Sequence, residues 1–171
     1  MSTISGSRWD RVERAALPVM VHSARTALAA VVSVLVARLF RLPEAYWAPI
    51  TTLVITQSSL GAALAVSRQR FLGTALGGAV GVIVANHFGR HVLVFGTSVF
   101  ILGILCAVAR SERSAYRFGG VTLAIVLLIP RSAPPWQIAI HRCAEVFIGI
   151  GVALLLAVMW PERESAASGK P

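Results

Sequence analysis

Residues 46–81 read YWAPITTLVITQSSLGAALAVSRQRFLGTALGGAVG, and the fold turns on how this stretch is taken. An apolar segment is interrupted by Pro49 and loaded with Thr51, Thr52, Thr56 and Gln57. A connector of small residues follows, then Arg68 and Arg70, then an apolar segment studded with glycines. A soluble core would not run so long with so little charge. A helix facing only lipid would not carry so many hydroxyl, amide and small side chains, because polar groups in hydrocarbon must be satisfied within the protein. The stretch reads as part of a membrane protein's polar interior.

Composition agrees. Of the 171 residues 56% are hydrophobic and 13% charged, against roughly 25% charged in soluble domains. Mean hydropathy is +0.75, and several apolar runs approach the roughly 20 residues that a crossing helix needs. The fold class expected is an all-α integral membrane protein with six transmembrane helices. The net charge of +9 does not point to nucleic acid, because the cations are scattered singly between apolar runs and line no single face. Cys106 and Cys143 fall inside apolar segments and read as buried thiols. No metal-ligand spacing occurs and no cofactor is implied. Enzyme chemistry is equally unsupported: no serine, histidine and carboxylate form a defensible arrangement. The glycine-rich segment lacks the preceding strand that a dinucleotide fingerprint requires.

Working outward, residues 1–20 read as a cytoplasmic, interfacial segment in which Trp9, Val12, Ala16 and Leu17 form one helical stripe among arginines. Residues 21–160 form the membrane domain, and 161–171 a disordered cytoplasmic tail. The expected spans are about Val21–Phe40, Tyr46–Val66, Phe71–Phe88, Val92–Ala109, Phe118–Pro130 and Ile138–Trp160. Between the second and third, Arg68 and Arg70 form an inner loop. Ser58, Ser59 and Gly61 make a uniform second helix doubtful. The fifth run is too short to cross unaided. Gly73, Gly77 and Gly81, four apart, make a small-residue face for close helix packing.

Charge bias sets the orientation. With both termini cytoplasmic, the inner segments hold Arg8, Arg11, Arg14, Arg68, Arg70, Arg110, Arg113, Arg117, Arg163 and Lys170. The outer turns hold only Arg38, Arg41, Arg90 and Arg131. The halves also echo one another: YWAPITTLVITQ and its sequel are answered by RFGGVTLAIVLLIP and then HRCAEVFIGIG. Three spans per half make this a 3+3 inverted repeat, and interrupted segments at matching positions point to a site at the midplane.

Arg25 to Ala30, Tyr46-Trp47-Ala48, Gln57, Ser59 to Ala62, Arg70 to Thr74 and Gly77, in that order, resemble the fusaric acid resistance (FUSC) and aromatic acid exporter family. Arg142, Glu145, Gly149 and the closing Trp160-Pro161 resemble the end of that family's membrane module. The likeness covers about residues 20–163. It implies a multi-pass protein of the bacterial inner membrane that exports aromatic carboxylic acids, working with a periplasmic adaptor and an outer-membrane channel. The sequence carries one six-span module without the family's large cytoplasmic domain, which favours a homo-oligomer or pairing with another subunit. The alternatives are a non-transporting assembly subunit of a larger efflux complex and a passive anion channel.

Each candidate residue has a plain reading beside the functional one. Arg25 either snorkels to headgroups or draws a carboxylate into the bundle. Arg142 and Glu145, three apart on one helix face, form an architectural pair or serve the substrate, with Glu145 as the proton carrier. Trp47 is a belt residue or a stacking surface. Thr51, Thr52 and Thr122 satisfy backbone carbonyls or orient a carboxylate. Gln57 carries an amide that needs partners. His22, at a span end, is interfacial.

Overall fold

The computed structural model describes residues 6–56, 59–110, 113–130 and 132–160. They form six α-helices and, among the described residues, no strand. These are α1 (Gly6–Leu39), α2 (Trp47–Ile55), α3 (Leu60–His87), α4 (Val92–Val108), α5 (Arg113–Leu128) and α6 (Pro135–Met159). Two stretches are long and apolar enough to cross a membrane by themselves, Val19–Leu39 within α1 and Pro135–Met159, and α4 is a shorter apolar helix.

Several boundaries differ from the expectation, three of them in the first half of the chain. First, α1 is continuous from Gly6, so residues 6–20 share one rod with the first span and are not set off from it. The side chains of Trp9 and Val12 lie outside the described residues. Second, the expected second span is broken. α2 ends after nine residues, about 14 Å at 1.5 Å per residue. Thr56 turns extended at ψ 96, and Ser59 caps α3 by accepting the amide of Ala62 at 3.3 Å. Third, Arg68 and Arg70 form no inner loop: α3 runs through them for 28 residues. The physical reason is that a helix starts where its cap is, and other helices supply partners to Arg70, so the chain need not leave the bundle to satisfy it. α5 likewise begins at Arg113, ahead of Phe118. α6 opens on Pro135, where the missing N–H costs nothing.

α3 and α6 pack on each other at the centre. α5 lies against α3, and α2 against α6; α1 covers α2 and α6, and α4 covers α3 and α5. Weaker contacts join α2 to α3 and α5 to α6. This set of pairs maps onto itself when α1–α3 are exchanged for α4–α6. The buried positions of the outer helices also correspond: Ala29, Ser33 and Ala37 on α1 are spaced as Ser98, Leu102 and Cys106 on α4. At the same register, Arg41 and Arg110 both take the left-handed conformation after their helices, at φ 54 and 49.

The distribution of polarity is inverted relative to a soluble protein. Exposed positions include Leu28, Leu35, Leu64, Phe71, Phe100, Ile104, Phe147 and Leu155, while Arg25, Arg70, Arg142, Glu145, Thr51, Thr52 and Thr122 are buried. Such a surface suits hydrocarbon. Close helix approach makes the interior possible. A Cβ on Gly73 would fall on the carbonyl of Ala115, one on Gly77 on the carbonyl of Gly119, and one on Gly149 on that of Ala48. Gly81 faces Val126 and Leu123.

Candidate functional site

The centre is assembled around Arg142 of α6, which is 2% exposed. Its Nη1 donates to Glu145 Oε2 at 3.1 Å, one helical turn along, and Glu145 is fully buried. The guanidinium carbon sits 3.9 Å from the ring centroid of Trp47 at the start of α2, a cation–π distance. Trp47 is fixed from behind, because its Nε1–H donates to Glu44 Oε2 at 3.0 Å. One turn further along α2, the Thr51 hydroxyl donates to the Trp47 carbonyl at 3.1 Å. The same oxygen accepts the Nε–H of Arg70 at 3.1 Å. Thr52 Oγ1 is 3.1 Å from the Ala48 carbonyl on its own helix and 3.1 Å from that of Gly149 on α6. Its single proton is therefore shared between the two.

The sequence places Arg70 in an inner loop. In the structure it is 7% exposed, and its guanidinium carbon lies 4.8 Å from the centroid of the Phe118 ring on α5. The positive charge of Arg142 is within electrostatic reach of it. Besides the buried Arg25 of α1, the interior thus gathers two guanidiniums and one carboxylate, each of the two guanidiniums laid on an aromatic ring. With Glu145 ionised, this trio carries a surplus positive charge in a low-dielectric setting, an arrangement that attracts anions.

Of the residues singled out in the sequence, Trp47, Thr51, Thr52, Arg142 and Glu145 come together here. Arg25 is buried on α1, the helix that covers α2 and α6. Thr122 is buried on α5, where its hydroxyl donates to the Phe118 carbonyl at 3.3 Å; its methyl would neighbour a Cβ on Gly78. His22 is exposed. Gln57 lies outside the described residues. Among the described residues no group of histidine, cysteine and carboxylate side chains could hold a metal ion. A depression of about 450 Å³ between α4 and α5, lined by Phe100, Gly103, Ile104, Arg113 and Tyr116 among others, is separate from this centre.

Sequence reasoning missed Arg70 and Phe118, yet a signal for them exists. On α3 and α6, Ser67, Arg70, Gly73, Thr74, Gly77 and Gly81 match Ala139, Arg142, Glu145, Val146, Gly149 and Ala153 at a constant offset, and all are buried. On α2 and α5, Ala48, Thr51, Thr52 and Ile55 match Gly119, Thr122, Leu123 and Val126, again all buried. That register sets Trp47 against Phe118. The two arginine–aromatic contacts are equivalent, as are the Thr51 and Thr122 bonds to the Trp47 and Phe118 carbonyls and the meetings of Gly77 with Gly119 and Gly149 with Ala48.

Comparison with known proteins bears on this arrangement. The chain is 30% identical over 153 residues to the inner membrane protein YeeA of Escherichia coli K12, covering 84% of this chain and 42% of YeeA. It is 25% identical over 164 residues to the uncharacterized transporter YdhK of the same strain, covering 91% of this chain and 24% of that protein. A plant protein, aluminum-activated malate transporter 14 of Arabidopsis thaliana, is 29% identical over 129 residues, which cover 68% of this chain and 24% of the plant protein. The chain thus spans less than half the length of these relatives. The model of the family described as fusaric acid resistance protein-like matches residues 28–156, which take in the Arg142–Trp47 and Arg70–Phe118 contacts alike, and this chain belongs to that family.

Proposed function

We propose that this chain is the membrane module of a transporter in the bacterial inner membrane that moves small organic carboxylates outward, aromatic acids among them. The observation that carries this reading is the buried interior: three arginines, one glutamate and a row of threonines enclosed by helices whose outer faces are apolar. Ionisable groups at such depth are costly and concentrate along substrate and proton paths. The relatives support transport as the class, two by name, one of them a malate transporter and hence a carrier of a carboxylate.

In this reading all six helices sit in the bilayer with both termini cytoplasmic, and α1–α3 and α4–α6 are inverted repeats. The matched helix pairs, the equivalent left-handed turns and the equivalent arginine–aromatic contacts support the repeat. The break between α2 and α3 is the kind of discontinuity found at substrate sites of repeat-built transporters. Arg25 and Arg142 draw in the carboxylate, Thr51, Thr52, Thr122 and Gln57 orient it, and Trp47 offers a flat surface. Glu145 exchanges a proton as the halves rock. The functional unit is a homo-oligomer, with a periplasmic adaptor and an outer-membrane channel as further partners.

The test is uptake of radiolabelled benzoate by proteoliposomes holding this protein, under an imposed pH gradient. The parent protein accumulates benzoate, and Glu145→Gln abolishes accumulation while its reconstitution yield stays normal. Unchanged accumulation by Glu145→Gln would refute the proton role, and flux indifferent to the gradient would mark a passive channel. A second reading is a non-transporting subunit of a larger efflux assembly, in which the buried Arg142–Glu145 pair is purely architectural. It is distinguished by co-purification with a larger protein and an inert proteoliposome.

A further inference from the structure

Arg142 and Arg70 occupy equivalent places but are neutralised differently. Arg142 finds a carboxylate three residues on, in Glu145. The equivalent residue three beyond Arg70 is Gly73, whose Cα is pressed against the backbone of Ala115 and Gly119, so no side chain fits there to supply an acid. Among the described residues no carboxylate pairs with Arg70: it donates through Nε to a neutral hydroxyl and rests on Phe118. Yet its side chain is buried, at 7% exposed, where a charge calls for a counter-charge.

We propose that Arg70 is an anion-binding station of this protein, at which the carboxylate of a bound ligand takes the part that Glu145 takes for Arg142. The chemistry follows from the guanidinium. It has five N–H donors, and the bond to Thr51 uses the one on Nε, leaving the terminal nitrogens for the two-point grip that suits a carboxylate. Thr51 and Phe118 hold the plane of the group from two helices, so it is oriented before the ligand arrives. Phe118 beside it adds an apolar, flat surface. The ligand class is therefore a small carboxylate with a planar or apolar body. This assignment rests on the carboxylate-transport reading, and it adds to that reading a third cation beside Arg25 and Arg142.

Isothermal titration of the full chain in detergent micelles with benzoate tests it, in a buffer free of other carboxylates. Arg70→Gln is expected to weaken benzoate binding by about 10- to 100-fold, the range for losing a hydrogen bond to a charged group. Arg70→Lys, which keeps the charge but loses the planar fork, should fall between this variant and the parent. Arg90→Gln, on the exposed turn after α3, should bind as the parent does. Parent-like affinity in Arg70→Gln overturns the assignment while leaving benzoate accumulation in proteoliposomes, and so the transport reading, intact. If Arg70→Gln does not fold, Arg70→Lys decides, and parent-like affinity there overturns the assignment equally. Absence of benzoate binding in the parent, together with absent accumulation, sinks both.

Discussion

Arg142 meets a carboxylate of its own helix and an indole of another, and the two contacts make different demands. A buried ion pair gains little net stability, because desolvation of both charges offsets their attraction. Replacing both partners with apolar side chains of similar size is often neutral, whereas removing one strands the other. The Arg142→Met, Glu145→Leu double variant should therefore melt near the parent temperature and fail to transport benzoate. Arg142→Met alone should cost about 3–5 kcal/mol, read from thermal unfolding in detergent. A double variant that transports normally would mean the pair is architecture only. The sequence made this pair legible because its members are three apart on one helix. It hid Arg70, whose partners Thr51 and Phe118 come from α2 and α5. A charge in an apolar run reads locally as a loop, and only tertiary contacts reveal it as interior.

At the scale of the helix, small residues decide how closely the elements meet. Gly73 and Gly77 of α3 bring its backbone against that of α5, and Gly149 of α6 does the same with α2. A methyl on Gly77 must push the Gly119 carbonyl away, and backbone yields poorly. Gly77→Ala should thus cost at least the 1–3 kcal/mol typical of overpacking. Gly61→Ala on the same helix, where a Cβ meets nothing within 4 Å, should be neutral or slightly stabilising because alanine loses less entropy in a helix. Unfolding midpoints of the two variants in one detergent check the contrast, and equal midpoints would mean that the contact carries no strain. The four-residue glycine spacing was readable as a packing face, but not its partner helix. The break between α2 and α3 was foreshadowed by Ser58, Ser59 and Gly61. Its exact place depended on Thr56 and the Ser59 cap, whose geometry lies below the resolution of pattern reading.

For the molecule as a whole, the correspondence between halves makes a topological prediction. If α1–α3 and α4–α6 are inverted, the left-handed turns at Arg41 and Arg110 lie on opposite sides of the bilayer. In a variant with Cys106 and Cys143 replaced by alanine, Arg41→Cys should react with a membrane-impermeant maleimide added to intact spheroplasts. Arg110→Cys should react only after permeabilisation. Labelling of both from the same side would exclude the inverted arrangement. Composition made the membrane class plain, and the recurrence of YWAPITTLVITQ as RFGGVTLAIVLLIP matched the two segments without revealing that Trp47 corresponds to Phe118. The equivalence of Arg70 with Arg142 needed helix boundaries, because a presumed loop at residues 68–70 removed one arginine from its helix.

The position of the Thr52 proton has a mechanical corollary. That hydroxyl bridges to Gly149 of α6 but has a second acceptor, Ala48, at the same distance on its own helix. Should α2 slide away from α6, the donor is still served from within its own turn, and no vacant hydrogen-bonding group is exposed to the apolar surroundings. The cross-helix link can be released without leaving its donor unpaired, like a latch whose bolt always rests in one of two sockets.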